Sequence, residues 1–75
     1  MDSRQKHFAN WILKKLKKSD DFTLSRKRLW EFYKTDESYL ETDSSASFSV
    51  ALKTLLSNGK VEVIFLGKTK AVKLK

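Results

Sequence analysis

The chain has no cysteine and no proline, and only two glycines and one histidine, among its 75 residues. Without cysteine there can be no disulfide framework and no thiolate zinc site. Without proline, and with glycine only at Gly59 and Gly67, no linker or low-complexity tract is visible. No apolar run approaches the ~20 residues that span a bilayer, so no membrane association is expected. The first residues lack the apolar stretch of a secretory signal. His7 has no carboxylate at useful spacing. Asp20-Asp21 and Asp36-Glu37 are adjacent pairs whose side chains point apart. No phosphate-cradling glycine loop and no metal-ligand cluster is present. The chain is therefore expected not to be an enzyme, with no cofactor, metal or small-molecule substrate.

What is present is apolar material and positive charge. Forty per cent of the residues are hydrophobic, enough for one thin core and against disorder. Residues 1–75 are expected to form a single domain. The net charge is +7, unevenly spread. Residues 1–18 carry +5, residues 19–34 carry +1, residues 35–49 carry −4 and residues 50–75 carry +5. Such a balance points to a polyanionic partner.

Periodicity predicts the elements. Phe8, Ile12 and Leu16 recur every four residues, widened by Ala9 and Leu13, and Ser3 suits the cap of this first helix. Lys14, Lys15, Lys17 and Lys18 crowd its end, where cations suit the helix dipole. Phe22-Thr23-Leu24 reads as a brief strand. Ser25 caps a second helix over about 26–34, with Leu29, Phe32 and Tyr33 as its stripe. Residues 35–43 read as a loop with Tyr39-Leu40 against the core. Asp43 or Ser44 caps a third helix to about Ser57, whose inner face carries Phe48, Ala51, Leu52, Leu55 and Leu56. Asn58-Gly59 stops it. Two β-rich runs, 61–66 and 71–75, flank Gly67-Lys68-Thr69-Lys70 and predict a hairpin.

The fold class implied is α+β: a winged helix-turn-helix of three helices plus a small antiparallel sheet with a C-terminal β-hairpin wing. Pairing the first hairpin strand with Phe22 to Leu24 would complete a three-stranded sheet.

Two stretches carry a resemblance. Trp11-Ile12-Leu13-Lys14-Lys15-Leu16-Lys17-Lys18 is similar to the opening helix of the winged helix at the N-terminus of some MYST-family histone acetyltransferases. Residues 48–61, from Phe48 through Asn58-Gly59 to Val61, are similar to the third helix and first wing strand of those domains. The whole order also resembles the linker-histone globular domain. The resemblance implies DNA binding in a chromatin or transcription setting, and hence a nuclear (or, in a prokaryote, nucleoid-associated) location. It does not imply acetylation, because the catalytic domain of those enzymes is absent from these residues. The chain departs from the pattern in its longer acidic segment and in a wing tip, Gly67 to Lys70, without an aromatic residue.

The candidate DNA-binding residues are Arg26, Lys27, Arg28, Ser45, Ser49, Lys53, Lys68 and Lys70. Arg26 to Arg28 oppose the dipole at the start of the second helix, a local cost that phosphate contact would explain. Ser45, Ser49 and Lys53 lie on the outer face of the third helix, where hydroxyls and a lysine can reach phosphate or base edges. A plainly solvated face is the alternative there. Lys68 and Lys70 flank the wing tip; they could line the minor groove or protect a strand edge.

A protein-interaction or dimerisation module is the competing reading. The acids between Asp36 and Asp43 would repel phosphate near the third helix, and Trp11 and Trp30, off their helices' main stripes, could contact a partner. RNA binding ranks last, for want of an aromatic sheet surface.

Overall fold

The repeat Phe8–Ile12–Leu16 forms one face of a helix and needs a surface to bury against. The computed structural model describes residues 3–75. Helix α1 spans Ser3–Lys17 and buries Phe8, Ala9, Ile12 and Leu16. Ser3 is already helical, so it is not the cap expected of it.

A tight turn over Asp20–Phe22 follows. Asp21 and Phe22 both take left-handed φ, at 57° and 55°. This breaks the extended run expected at Phe22 and leaves its ring half-exposed. Strand β1 therefore covers Thr23–Ser25, one residue later than the alternation suggested.

Ser25 then caps α2 (Arg26–Lys34), accepting the Arg28 amide on its hydroxyl at 3.2 Å. Leu29 and Tyr33 are its buried pair, one turn apart. Phe32 lies about 100° round the helix from Tyr33 and is not in the core stripe. It is 38% exposed, with the Lys15 ammonium 4.3 Å from its ring centre. Ser44 caps α3 (Ser45–Ser57) through the Ser47 amide, and Phe48, Ala51, Leu52 and Leu55 are buried. Leu56, expected among them, is instead partly exposed.

The end of α3 closes as a Schellman motif. The Gly59 amide donates to Leu56 and the Lys60 amide to Leu55, with Gly59 at φ 71°. Asn58 stays right-handed, so the glycine alone takes the left-handed position.

Strands β2 (Val61–Leu66) and β3 (Thr69–Leu74) form the wing. Leu66 faces Thr69 across a two-residue turn whose first residue, Gly67, has φ 67°. Positive φ at that position alone is the pattern of a type II′ hairpin, which calls for glycine there. The sheet order is β1-β3-β2, all antiparallel. The expected partner of β1 is thus corrected. Leu24 pairs with Val72 of the second wing strand, not with the first. The reason is burial: Ala71 and Val72 make β3 the best-covered strand, and β1 seals its free side.

The result is a winged helix-turn-helix of three helices and a three-stranded sheet. Its core joins the stripes of all three helices to Val61 and Val72. Tyr33, fully buried, sits at the middle of a ring cluster, with Trp11, Phe8 and Phe48 at 5.1, 5.2 and 5.5 Å. Aromatic pairs at such separations add about 0.5–1.5 kcal/mol each beyond their burial.

Candidate nucleic-acid interface

The start of α2, the outer face of α3 and the wing meet along one groove. It encloses about 430 Å³ and is lined by Arg26, Ser49, Leu52, Lys53, Leu56, Val63, Lys70, Ala71 and Val72. A hollow of about 330 Å³ lies on the other side of Arg26, lined by Arg26, Lys27, Trp30, Ser45 and Phe48. Arg26 belongs to both. Six of the eight residues singled out from sequence thus line one or other of two hollows that share Arg26: Arg26, Lys27, Ser45, Ser49, Lys53 and Lys70. Among the described residues no carboxylate borders either hollow. The other two stand apart from the lining. Arg28 is exposed on α2, its amide held by Ser25, and Lys68 is exposed in the wing turn.

The groove has its own internal geometry. The Arg26 guanidinium donates to the Ser49 hydroxyl, which ties the start of α2 to α3. The Ser49 hydroxyl donates in turn to the Ser45 carbonyl at 2.8 Å, and Thr54 does the same to Val50 at 3.0 Å. These hydroxyl protons are therefore already engaged within α3. Ser49 acts as an acceptor that aims Arg26. The cationic donors available to an anion are Arg26 itself, Lys27, Lys53 and Lys70.

Two acids of the segment between α2 and α3 are engaged away from this groove. Asp43, its side chain 3% exposed, takes two bonds from Arg4 of α1, at 2.8 and 2.5 Å. It also accepts the Tyr33 hydroxyl and the Leu40 amide, each at 2.9 Å. Arg4, with smaller help from Leu40 and Tyr33, lowers the Asp43 carboxyl to about 2. Burial, then the Asp43 carboxylate, pushes the Tyr33 phenol up to about 12. Asp36 accepts the Ser38 amide at 3.0 Å and the Ser38 hydroxyl, and these bonds lower its pKa. Two of the four acids thus serve the loop that connects α2 to α3.

The tryptophans are half-buried. Trp11 meets Tyr33 and Phe48 edge-on, and Trp30 packs on Tyr33, Phe48 and Tyr39. Tyr39 packs against the core as expected, its ring edge-on to Trp30, whereas Leu40 beside it is half-exposed.

A second cationic hollow, of about 360 Å³, is lined by Trp11, Lys14, Lys15, Lys18, Phe32, Thr35 and Asp36. Phe32 lies about 200° round α2 from Trp30. The α1 lysines therefore face a different side of the molecule from the groove, and a carboxylate stands among them.

Sequence reasoning missed the apolar part of the groove and the wing. Leu56 and Val63 are partly exposed there, and Phe65 is 68% exposed. Phe65 stands across from Lys70, so the wing tip does carry an aromatic ring. The signal was the alternation along Val61, Val63 and Phe65, which places all three on one face. Among the described residues no helix is long and apolar enough to cross a membrane. Among them no group of three or more histidine, cysteine, aspartate or glutamate residues is placed to hold a metal. Comparison with protein-family models, with curated proteins and with solved structures gives no match.

Proposed function

We propose that this chain binds duplex DNA, mainly through phosphate contacts, in a chromatin or transcription setting and hence in the nucleus or nucleoid. One observation carries the reading. Arg26, Lys27, Lys53 and Lys70 come from three separate elements and line two hollows that share Arg26, with no carboxylate among the described residues that border them. Cations converging on a carboxylate-free groove suit a polyanion. The free amides at the start of α2 add donors to a phosphate lying beside Arg26 and Lys27. The apolar floor and the engaged Ser49 hydroxyl leave little for base-edge readout, so binding is expected to depend weakly on sequence. The resemblance to linker-histone and acetyltransferase winged helices points to the same class of ligand.

Salt dependence tests this. About four to six phosphate contacts give a log–log slope of roughly −4 to −5 for an unrelated duplex, measured by fluorescence anisotropy. A chemical-shift titration locates the face: shifts are expected at Arg26, Lys27, Ser45 to Lys53 and Lys68 to Lys70. A shallow slope, or shifts confined to α1, would overturn the proposal.

A further inference from the structure

The sheet ends on β2, and β2 lacks the devices that normally close an edge. Edge strands are usually shortened, bulged, interrupted by proline or guarded by lysine, because their free peptide groups recruit other strands. The other edge, β1, has three residues. Strand β2 has six in unbroken register, with Glu62 its one charged side chain and no proline. The wing lysines do not guard it. Lys70 and Lys73 belong to the central strand β3, and Lys68 to the turn. Val63, Phe65 and Leu66 are 39%, 68% and 57% exposed.

The register shows which backbone groups are free. In antiparallel pairing, opposed residues alternate between those that exchange both main-chain bonds and those that exchange none. A two-residue turn closes on a bonded pair, here Leu66 and Thr69. At the far end the Lys75 amide donates to the Lys60 carbonyl at 3.2 Å, which is the same parity. Lys60, Glu62, Ile64 and Leu66 therefore aim their peptide groups at β3. Val61, Val63 and Phe65 aim theirs outward, where the sheet has no further strand.

Charge selects the occupant. Lys60 and Lys68 bracket the strand, and Lys53 and Lys70 border the groove that Leu56 and Val63 floor. The single acid, Glu62, lies across from Lys73. A second copy would bring +7 against +7. We propose that the β2 edge takes up an extended acidic segment of a partner protein as a fourth strand, held by the peptide groups of Val61, Val63 and Phe65. Alternate apolar side chains of that segment lie over Leu56 and Val63, and its carboxylates meet the bracketing lysines. The inference shares Lys53, Lys70 and the apolar floor with the groove of the DNA reading. Its distinguishing element is the backbone edge of β2, which that reading does not use, so amide protection along β2 and duplex affinity fail separately.

The test uses the whole chain and a synthetic peptide of about eight residues alternating valine with glutamate. A counterpart with lysine for glutamate is the control. Amide hydrogen exchange should slow about ten-fold or more at Val61, Val63 and Phe65 with the acidic peptide. Glu62 and Ile64, bonded within the sheet, should not change, and the lysine peptide should have no effect. Uniform or absent protection overturns the proposal, as does equal protection by the lysine peptide. Protection that grows with protein concentration alone, with a dimer in light scattering, assigns the edge to a second copy and also overturns it. Proline is tolerated where the amide faces off an edge. Val63→Pro should therefore keep the wild-type circular dichroism and lose peptide affinity about ten-fold or more. Undiminished affinity in a folded Val63→Pro counts against the proposal. If that variant unfolds, the alternation of protected amides in the wild-type chain decides.

Discussion

Arg4 and Asp43, 39 positions apart, are joined by two parallel bonds, Nε to Oδ1 at 2.8 Å and Nη2 to Oδ2 at 2.5 Å. The pair ties the start of α1 to the residue before the α3 cap. Asp43 titrates at about 2 in the folded chain, against about 3.9 unfolded. A lowered carboxyl contributes stability above the unfolded value and loses it as pH falls toward the folded one. Arg4 is one-third exposed, so water screens the pair. The contribution is then about 1–2 kcal/mol, below what a fully shielded pair with this shift would give. Thermal unfolding of the wild type should show a falling Tm between about pH 4 and pH 2. Asp43→Asn should be less stable at pH 7 and flatter across that window, keeping only the smaller slope due to Asp36. Parallel acid slopes in the two proteins would rule out this role for Asp43.

Tyr33 shares the same knot, donating to Asp43 and accepting from Arg4 at 2.7 Å. Its phenol is raised to about 12, so the neutral form is the one the fold favours. For a raised group the stability is complete below the unfolded value, about 10, and is lost as pH climbs through the folded one. Absorbance at alkaline pH should show one of the two tyrosines ionising late, near pH 12. Tyr33→Phe should remove that late step and cost about 1–2 kcal/mol at pH 7, because Asp43 loses a donor in a shielded place. A late step that survives Tyr33→Phe would show that the assignment is wrong.

The same knot marks where sequence reading stops. Caps are local chemistry, so Ser25, Ser44 and Gly59 announced the ends of α2 and α3 within a residue or so. Non-local pairing is not announced. Nothing near Asp43 in sequence points to Arg4, so the acids looked free to repel phosphate beside α3. Nothing in Thr23 to Ser25 distinguishes β3 from β2 as a partner; coverage of Ala71 and Val72 decides it. The wing lysines looked like edge protection because the strand order was unknown. The cations at the groove were legible as residues, because charge at a helix start is conspicuous. Their meeting, and the Arg26–Ser49 bond that aims one of them, required the fold.

Gly59 isolates one backbone term. It holds φ 71°, and a Cβ placed there would meet nothing within 4 Å. A substitution is therefore strained by conformation alone. Gly59→Ala should cost about 1 kcal/mol, lowering Tm by about 4–8 °C in a domain of this size. Gly59→Asn should cost less, since asparagine visits the left-handed region more readily. Equal losses for the two would point to something other than backbone strain, and no loss would contradict the Schellman closure.

Two basic surfaces on different sides of the molecule allow the total field to be separated from a binding face. Neutralising Arg26, Lys53 and Lys70 to glutamine removes three charges from the groove. Neutralising Lys14, Lys15 and Lys18 removes three from the α1 hollow. Net charge and long-range attraction fall equally in both variants. If the groove holds phosphates, the first variant loses about 100-fold in affinity for duplex DNA near 0.1 M salt, and its salt slope shrinks by about 3. The second should lose less than about ten-fold, with the slope changed by less than about 1. Anisotropy titrations over a range of salt read both quantities. Equal losses would mean that the charge of the whole chain, and not its arrangement around Arg26, governs binding. A larger loss in the α1 variant would transfer the duplex to the Trp11 side.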